Sequence, residues 1–222
     1  MIQRKEIISD DLPVSQILER WPALQVESQI SAEFHRITNI NLKNHFYAVL
    51  DQHVRRLQTL LRKKAARTGK VSGVLDQFFR VYDLQEEVDV NIRHAAVLHA
   101  LPAYLCEDAS SFLKTWNAGQ SDEPYIEDIP LGLVLVGASS TDATLFSPEK
   151  VALVLESNMI IDLPTLADAF AVLFGLIYAL HLSYPKTLAN TFDFTQKVLM
   201  GLEDGKLKPK VLSLKNELLA ED

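Results

Sequence analysis

A single cysteine, Cys106, occurs among the 222 residues of this sequence. No disulfide can therefore form within the chain, and a zinc site built from cysteines is excluded. Glu107 and Asp108 follow Cys106, and acidic neighbours disfavour the thiolate that a nucleophile requires, so we expect a buried or idle cysteine. Scarce cysteine and the charged start MIQRKEIISDDLP are typical of a protein of a reducing compartment, cytoplasmic or nuclear.

Positive charge is also scarce, since 22 basic residues stand against 29 acidic ones and the net charge is −7. This balance argues against a protein that binds nucleic acid through a globally basic surface. Long apolar runs are missing as well. The most apolar segment, 169–182, has polar side-chain atoms only at Tyr178 and His181, but it is shorter than the ~20 residues that cross a bilayer. We therefore expect no membrane association and a buried helix at this segment.

Familiar catalytic motifs are absent from the sequence. It contains no G-x-x-x-x-G-K-[ST], no G-x-G-x-x-G and no H-E-x-x-H pattern. The segment VGASSTD places Ser139 after an apolar strand, but Thr141 stands where a nucleophile elbow has glycine. We expect a polar loop there, and we predict no catalytic residues and no cofactor.

The histidines lack the spacing of a metal site. His94 and His99 are five residues apart, whereas a helix brings together side chains that are three or four residues apart. His181 lies in the apolar segment 169–182, where a histidine is most often a hydrogen-bonded core residue. The sequence therefore predicts no metal ligands, and it predicts a structural role for His181.

Helical spacing of apolar residues dominates the first half of the sequence. The segment from Val26 to Arg67 predicts long N-terminal helices with an interruption at Thr38–Asn39. The segment TGKVSG, 68–73, predicts a loop before two further helices. A shorter helix is expected over Asp108–Trp116.

The second half changes character, because short β-branched segments predict a small sheet of about three strands. These strands are expected at 131–136, 151–156 and 159–162. Ser157–Asn158 would form the hairpin turn, and helices must cover the sheet. Segment 169–182 and an amphipathic helix over Lys186–Leu202 predict a C-terminal helical hairpin, followed by a final helix near Pro209. The predicted fold class is α+β and predominantly α-helical.

The length of the chain permits two domain organisations. The simpler one is a single domain over 1–222. An acidic loop of low apolar content, 117–129, also permits two helical lobes, about 13–116 and 130–220, joined by that loop.

One segment departs from the overall acidity, since HVRRLQTLLRKKAARTGK contains no acidic residue. We call it the basic stretch, 55–70, and its cations are Arg55, Arg56, Arg62, Lys63, Lys64, Arg67 and Lys70. A basic stripe on a helix can bind phosphates, an acidic protein surface or a nuclear import receptor. Aromatic residues for base stacking are missing from it, and a solvated helix end is the alternative.

The longest recognisable block is IIDLPTLADAFAVLFGLIYALHLSYPKTLANTFDFTQKVLMGLEDGKLKPKVLSLKNELL. It resembles the C-terminal region of the sterile alpha motif domain-containing proteins, in particular the "3-like" members of fish. ILERWPAL, VLHALPAYLCEDASSFLKTW and LGLVLVG are similar to earlier blocks of that region, so the resemblance covers about Ile17 to Leu219. It implies no catalytic residues, and it leaves no room for the sterile alpha motif itself beside the matched region.

Three functional hypotheses follow. The preferred one is a non-enzymatic protein-interaction or self-association module, because no catalytic constellation is found and the segment 169–182 is strongly apolar. The second is nucleic-acid binding through the basic stretch. The third is an enzyme with an unrecognised site around His181 and Tyr184.

Overall fold

The computed structural model describes residues 13–117, 124–137, 141–203 and 205–220. Within these ranges the chain forms nine α-helices and a four-stranded sheet, which confirms the predicted α+β, predominantly helical class. The helices are α1 (Val14–Arg20), α2 (Glu27–Thr38), α3 (Leu42–Ala65), α4 (Lys70–Tyr82), α5 (Val90–Tyr104), α6 (Thr141–Phe146), α7 (Leu166–Leu180), α8 (Ala189–Phe194) and α9 (Pro209–Leu219). The strands are β1 (Leu113–Asn117), β2 (Leu131–Gly137), β3 (Lys150–Leu155) and β4 (Asn158–Leu163).

The predicted interruption between the long N-terminal helices is confirmed. α2 ends at Thr38, and Asn39 adopts a left-handed conformation with φ 60°. The Asn41 side chain then caps α3, because it accepts a hydrogen bond from the backbone N–H of Asn44 at 3.2 Å. The break therefore comes from local polar residues that sequence reasoning can recognise.

The loop predicted at 68–73 is wrong in its second half, since α4 begins at Lys70. Ser72 and Leu75 on the first turns of α4 are buried. This face of α4 packs against the core, and that packing extends the helix through residues of poor helix propensity. Tertiary contacts commonly override helix propensity.

The helix predicted over Asp108–Trp116 is wrong, because β1 occupies Leu113–Asn117. β1 pairs in parallel with β2, and Leu113 lies opposite Leu133. The β2–β3 and β3–β4 pairs are antiparallel, and the strand order is β1-β2-β3-β4. The sheet therefore has four strands rather than the three that were predicted. The local pattern does not reveal β1, because its strand conformation depends on pairing with β2 later in the chain.

The turn between β3 and β4 lies one residue earlier than predicted. Glu156 and Ser157 are its two central residues, with φ of 46° and 61°, while Asn158 already pairs with Leu155. The Ser157 side chain donates a hydrogen bond to the backbone carbonyl of Glu127 at 2.5 Å. The turn is thereby tied to the segment that precedes β2.

The helix α7 is the centre of the core. Nearly all of its residues are buried, and it packs against α2, α3, α5 and the sheet. A Cβ atom added at Gly175 would lie 2.5 Å from the Leu42 Cδ2 atom, so this glycine admits a side chain of α3. In the part of the chain that the structure describes, no helix has the length and apolar character needed to cross a membrane.

The second face of the sheet carries a small core of its own. Ile129, Val134, Val136, Ala152 and Val154 form this buried cluster. Ile129 lies in the segment that was predicted as an acidic connecting loop, so part of that segment covers the sheet rather than crossing free solvent. The main core, on the other face, includes residues from Ile17 to Leu218.

Two predictions about the chain after α7 are wrong in detail. His181 is exposed, because it ends α7 in a left-handed conformation with φ 55° and is not a core residue. The helix expected over Lys186–Leu202 consists of three pieces: a 3₁₀ turn at Lys186–Leu188, α8, and a π-helical turn at Thr195–Leu199. At the start of α8, the Glu107 carboxylate accepts hydrogen bonds from the backbone N–H groups of Asn190 and Thr191.

Candidate functional site

A groove of about 540 Å³ lies between α4 and the C-terminal end of α5. We call it the α4–α5 groove. Its apolar lining residues are Val71, Val74, Pro102, Ala103 and Ala109, and its polar lining residues are Lys70, His99, Cys106, Glu107 and Asp108. Its volume lies in the range of sites that bind ligands in proteins. A second cavity, at the N-terminal ends of α5 and α7, measures about 170 Å³.

The α4 wall of the groove is an apolar stripe. Val71, Val74 and Phe78 are spaced by three and four residues and therefore share one side of α4. Val74 is 51% exposed, whereas Leu75 and Phe79 on the neighbouring side are buried in the core. α4 thus has one apolar side in the core and a second apolar side that borders the groove.

His99 forms part of the floor of the groove. Its ring lies 6.0 Å from the ring of Phe78 and 6.4 Å from that of Phe146. Burial lowers the pKa of His99 to about 4, although a hydrogen bond to the backbone carbonyl of Leu145 acts in the opposite direction. The imidazole is therefore neutral at pH 7. Its Nε2 atom is buried and has no hydrogen-bond partner among the described residues.

Cys106 is exposed at the rim of the groove, so of the two expected alternatives, a buried or an idle cysteine, the buried one is wrong. Its φ of 60° terminates α5, with the Cys106 N–H donating to Ala103 O at 3.0 Å and the Glu107 N–H to Pro102 O at 2.9 Å. The thiol faces the backbone carbonyl of Tyr104 at 3.9 Å. Cys106 is exposed because it lies at the C-terminal end of α5. It makes no hydrogen bond with His99 in the described structure.

Glu107 and Asp108 are both occupied by hydrogen bonds within the chain. The Glu107 carboxylate accepts from the backbone N–H groups of Asn190 at 2.5 Å and Thr191 at 2.8 Å, and from the Thr191 hydroxyl at 2.8 Å. Asp108 accepts from the backbone N–H of Ser110 at 2.9 Å. This hydrogen bond lowers the pKa of Asp108, and the charge of Lys70 adds to the effect. Glu107 therefore links the end of α5 to the start of α8, a role that sequence reasoning missed.

The structure divides the basic stretch into two groups. In the first group the cations contact the rest of the protein. Arg62 forms an ion pair with Asp83 at 2.5 and 3.1 Å, and its guanidinium lies 4.5 Å from the centre of the Phe79 ring. Hydrogen bonding to Arg62 lowers the pKa of Asp83. Phe79 is buried in the core, so this contact is internal to the protein.

Arg56 and Lys64 complete this first group. Arg56 donates to the backbone carbonyls of Glu217 at 3.3 Å and Ala220 at 3.4 Å, at the C-terminal end of α9. The Lys64 Nζ atom lies 5.4 Å from the centre of the Tyr104 ring. Burial raises the pKa of Tyr104 to about 12, and the charge of Glu217 contributes. These cations therefore stabilise the packing of α3, α5 and α9.

In the second group, Arg55, Lys63, Arg67 and Lys70 are exposed. None of the four forms an ion pair with another described residue. Lys70 lines the α4–α5 groove, and Arg67 lies near enough to Tyr104 to oppose the rise of its pKa. Arg55 lies on α3 about three helical turns before Arg67. Of these four cations, Lys70 alone is among the residues that line the groove.

A partly buried polar network on the other side of α3 was not predicted. The Lys43 Nζ atom lies 2.7 Å from Glu27 Oε1 and 2.6 Å from Asp168 Oδ1, and it joins α2, α3 and α7. The Thr165 hydroxyl donates to Asp168 Oδ2 at 2.7 Å. Burial raises the pKa of Asp168, but hydrogen bonds from Lys43, Thr165 and Tyr47 outweigh it, so that the pKa is lowered overall. All members of this network have structural partners.

The other predicted site residues are not brought together. His94 is 2% exposed, and its Nε2 atom lies 2.7 Å from Asp51 Oδ1, so it contacts α3 rather than His99. The Tyr184 ring stacks on Phe192 with centroids 4.9 Å apart. The Tyr184 hydroxyl donates to Gln196 Oε1 at 2.8 Å, and Tyr184 packs half-buried against the core.

Ser139 lies outside the described residues.

Comparison of the chain with models of protein families, with curated proteins and with solved structures gives no match. The resemblance to sterile alpha motif domain-containing proteins therefore stays a proposal.

Proposed function

We propose that this protein is a non-enzymatic protein-interaction module that binds a segment of a partner in the α4–α5 groove. The observation that carries this proposal is the apolar stripe of Val71 and Val74, which borders a groove of about 540 Å³ while Val74 remains 51% exposed. A groove between two helices with an apolar wall accepts the apolar face of an amphipathic segment. Exposed apolar surface of this kind commonly marks an interaction site.

The chemistry of the groove supports binding rather than catalysis. Glu107 and Asp108 hydrogen-bond within the chain, and the half-buried His99 is neutral at pH 7. Cys106 makes its sulfur contact with a backbone carbonyl. Covalent or acid–base catalysis requires a nucleophile beside a base, with a third group that orients it.

Cys106 makes the proposal testable, because it is the only cysteine and it lies exposed at the rim of the groove. A photoactivatable group attached to Cys106 should crosslink a partner in an extract of the source cells. The partner is then purified, and its binding is measured by calorimetry with Val74→Asp and with the control Leu212→Asp. Leu212 is 45% exposed and lies on α9.

We expect Val74→Asp to weaken binding by about tenfold or more, since a charge would replace an apolar contact. Leu212→Asp should bind as the natural protein does. Equal affinities of the natural protein and Val74→Asp would refute the groove as the contact surface. If the crosslinked partner is a second copy of this chain, the same variants are compared by sedimentation.

Nucleic-acid binding is a second candidate, and one observation favours it. Arg55, Lys63, Arg67 and Lys70 are exposed without an ion pair in the described part of the chain. Under this alternative, Arg55→Glu and Arg67→Glu weaken the binding of a DNA or RNA oligonucleotide to a similar extent, and affinity falls steeply with salt. Absence of oligonucleotide binding at low salt would exclude it.

A further inference from the structure

We infer that the partner segment bound in the α4–α5 groove carries a tyrosine whose hydroxyl donates a hydrogen bond to the Nε2 atom of His99. This inference rests on the proposed function of the groove and adds the side chain that the groove selects. Two features of the groove floor carry it: a buried acceptor atom without a partner, and the aromatic rings that lie around it.

The His99 ring has one nitrogen that is used and one that is not. Its hydrogen bond with the backbone carbonyl of Leu145 requires an N–H group on the ring. Nε2 is the nitrogen without a hydrogen-bond partner among the described residues, so Nδ1 is the donor to Leu145. In the neutral imidazole the other nitrogen then has a free lone pair. His99 therefore offers an acceptor, and not a donor, to a molecule in the groove.

The unused acceptor destabilises the free protein. Nε2 is shielded from solvent, although His99 as a whole is half-buried. Buried polar atoms in native proteins nearly always have a partner, because an unpaired one has lost its hydrogen bonds with water. A donor supplied by a partner removes this penalty. The hydrogen bond therefore contributes more to binding than one made to a solvated atom.

The surroundings of the acceptor select the kind of donor. The Phe78 ring lies 6.0 Å from the His99 ring, and the Phe146 ring lies 6.4 Å from it. An ionised carboxylate has no proton to donate. The burial that keeps His99 uncharged at pH 7 also disfavours the ammonium of a lysine or the guanidinium of an arginine. A neutral donor on an apolar side chain fits this floor.

Tyrosine has this combination of properties. Its apolar ring packs against aromatic and aliphatic side chains, and its hydroxyl is a donor at the far tip of the ring. A donor at the tip can reach an acceptor that lies below the surface of the groove, whereas the N–H of tryptophan lies on the side of a broader ring. Tyrosine is also enriched at protein interfaces.

Binding must uncover Nε2, since this atom is shielded in the free protein. His99 is among the residues that line the groove, and the half-buried Phe78 of the apolar stripe lies beside it. When an interface forms, side chains commonly change rotamer while the backbone moves little. We therefore expect the Phe78 side chain to turn aside as the tyrosine enters.

The test compares two designed peptides of fifteen residues that share one leucine face and carry either Tyr or Phe at its centre. The two peptides differ by a single hydroxyl group. Calorimetry measures their binding to the full chain at pH 7. We expect the Tyr peptide to bind about fivefold more tightly than the Phe peptide, because a net hydrogen bond of ordinary strength has an effect of this size.

Two variants assign this preference to His99. His99→Phe keeps an aromatic ring and removes the acceptor, so the Tyr peptide should lose its advantage over the Phe peptide. His35→Phe makes the same exchange at an exposed position on α2 and should preserve the fivefold preference. Circular dichroism and thermal unfolding verify that both variants are folded.

A further measurement needs no variant. Side-chain nitrogen-15 NMR of the natural protein reports whether Nε2 accepts a hydrogen bond. The resonance of His99 Nε2 should move toward that of a hydrogen-bonded nitrogen when the Tyr peptide binds, and it should move much less when the Phe peptide binds. Equal shifts with the two peptides would contradict the hydrogen bond.

The outcomes separate this inference from the proposed function. If the Tyr and Phe peptides bind equally and Val74→Asp weakens both, the groove binds protein segments but the tyrosine anchor is wrong. If neither peptide binds, both proposals fail. If the preference for Tyr persists in His99→Phe, the hydroxyl has another acceptor and the inference is overturned.

Discussion

Single residues in this protein acquire their roles from partners that are distant in sequence. Glu107 is the clearest case, because its carboxylate binds the backbone N–H groups of Asn190 and Thr191, 83 and 84 residues away. A carboxylate at the N-terminal end of a helix is favoured by the unpaired N–H groups there and by the helix dipole. In the sequence, Glu107 is one more acidic residue beside a cysteine.

Replacing Glu107 with alanine should destabilise the protein by about 1–3 kcal/mol, since the N–H groups of Asn190 and Thr191 would lose their acceptor. Urea unfolding measures the change. Glu86→Ala, at an exposed position between α4 and α5, is the matched control and should change the stability by less than about 0.5 kcal/mol. Equal effects of the two substitutions would contradict the assigned role of Glu107.

The lowered pKa of His99 should make the stability of the protein depend on pH. Its pKa is about 4 in the folded protein, below the ordinary value of 6.5, so the unfolded chain binds the proton more tightly. Stability should therefore be lost as the pH falls from 6.5 toward 4, by up to about 3 kcal/mol. Urea unfolding of the natural protein and of His99→Gln between pH 7 and 4 measures this contribution. An identical pH dependence of the two proteins would refute it.

At the scale of elements, helices and strands differ in how far they follow from local pattern. The amphipathic helices α2 and α3 follow from apolar residues at helical spacing and from capping residues such as Asn41. β1 does not, because its conformation depends on pairing with β2 through contacts such as Leu113 with Leu133. The local sequence pattern therefore predicts helices better than strands, because the backbone hydrogen bonds of a helix lie within one segment of the chain.

Two glycines should respond to alanine in opposite directions because they lie in different elements. A Cβ atom at Gly132 in β2 would lie 2.6 Å from the backbone oxygen of Phe112, so Gly132→Ala should destabilise by about 1–3 kcal/mol. A Cβ atom at Gly73 in α4 would meet nothing within 4 Å, so Gly73→Ala should stabilise by about 0.5–1 kcal/mol. Thermal and urea unfolding measure both, and changes of the same sign would contradict the packing described here.

At the scale of the whole molecule, a polar network and a central helix hold the layers together. α7 fills the core between the N-terminal helices and the sheet, and Lys43 joins Glu27 of α2 to Asp168 of α7. No pattern in the sequence indicates that these three charged residues contact one another. Their partners are brought together only when α2, α3 and α7 pack.

Asp168→Ala should therefore cost more than the loss of a surface ion pair. It removes one of the two partners of Lys43 and the acceptor of the Thr165 hydroxyl. We expect a loss of about 2 kcal/mol, because Lys43 is partly solvated and keeps its ion pair with Glu27. Asp162→Ala breaks the exposed pair with Lys150 at 2.6 Å and should cost at most about 1 kcal/mol. Urea unfolding compares the two variants, and an Asp168→Ala loss no larger than that of Asp162→Ala would contradict the network's role.

The candidate site shows the same division between local and tertiary information. The sequence by itself determined the abundance of helix, the small sheet, the burial of α7 and the concentration of cations in the basic stretch, because each depends on residues close together in the chain. Only the tertiary structure decided which cations are used internally, since Arg62 meets Asp83 and Arg56 meets Ala220. It alone created the α4–α5 groove, which exists because two helices pack with Lys70 and Val74 left at its wall.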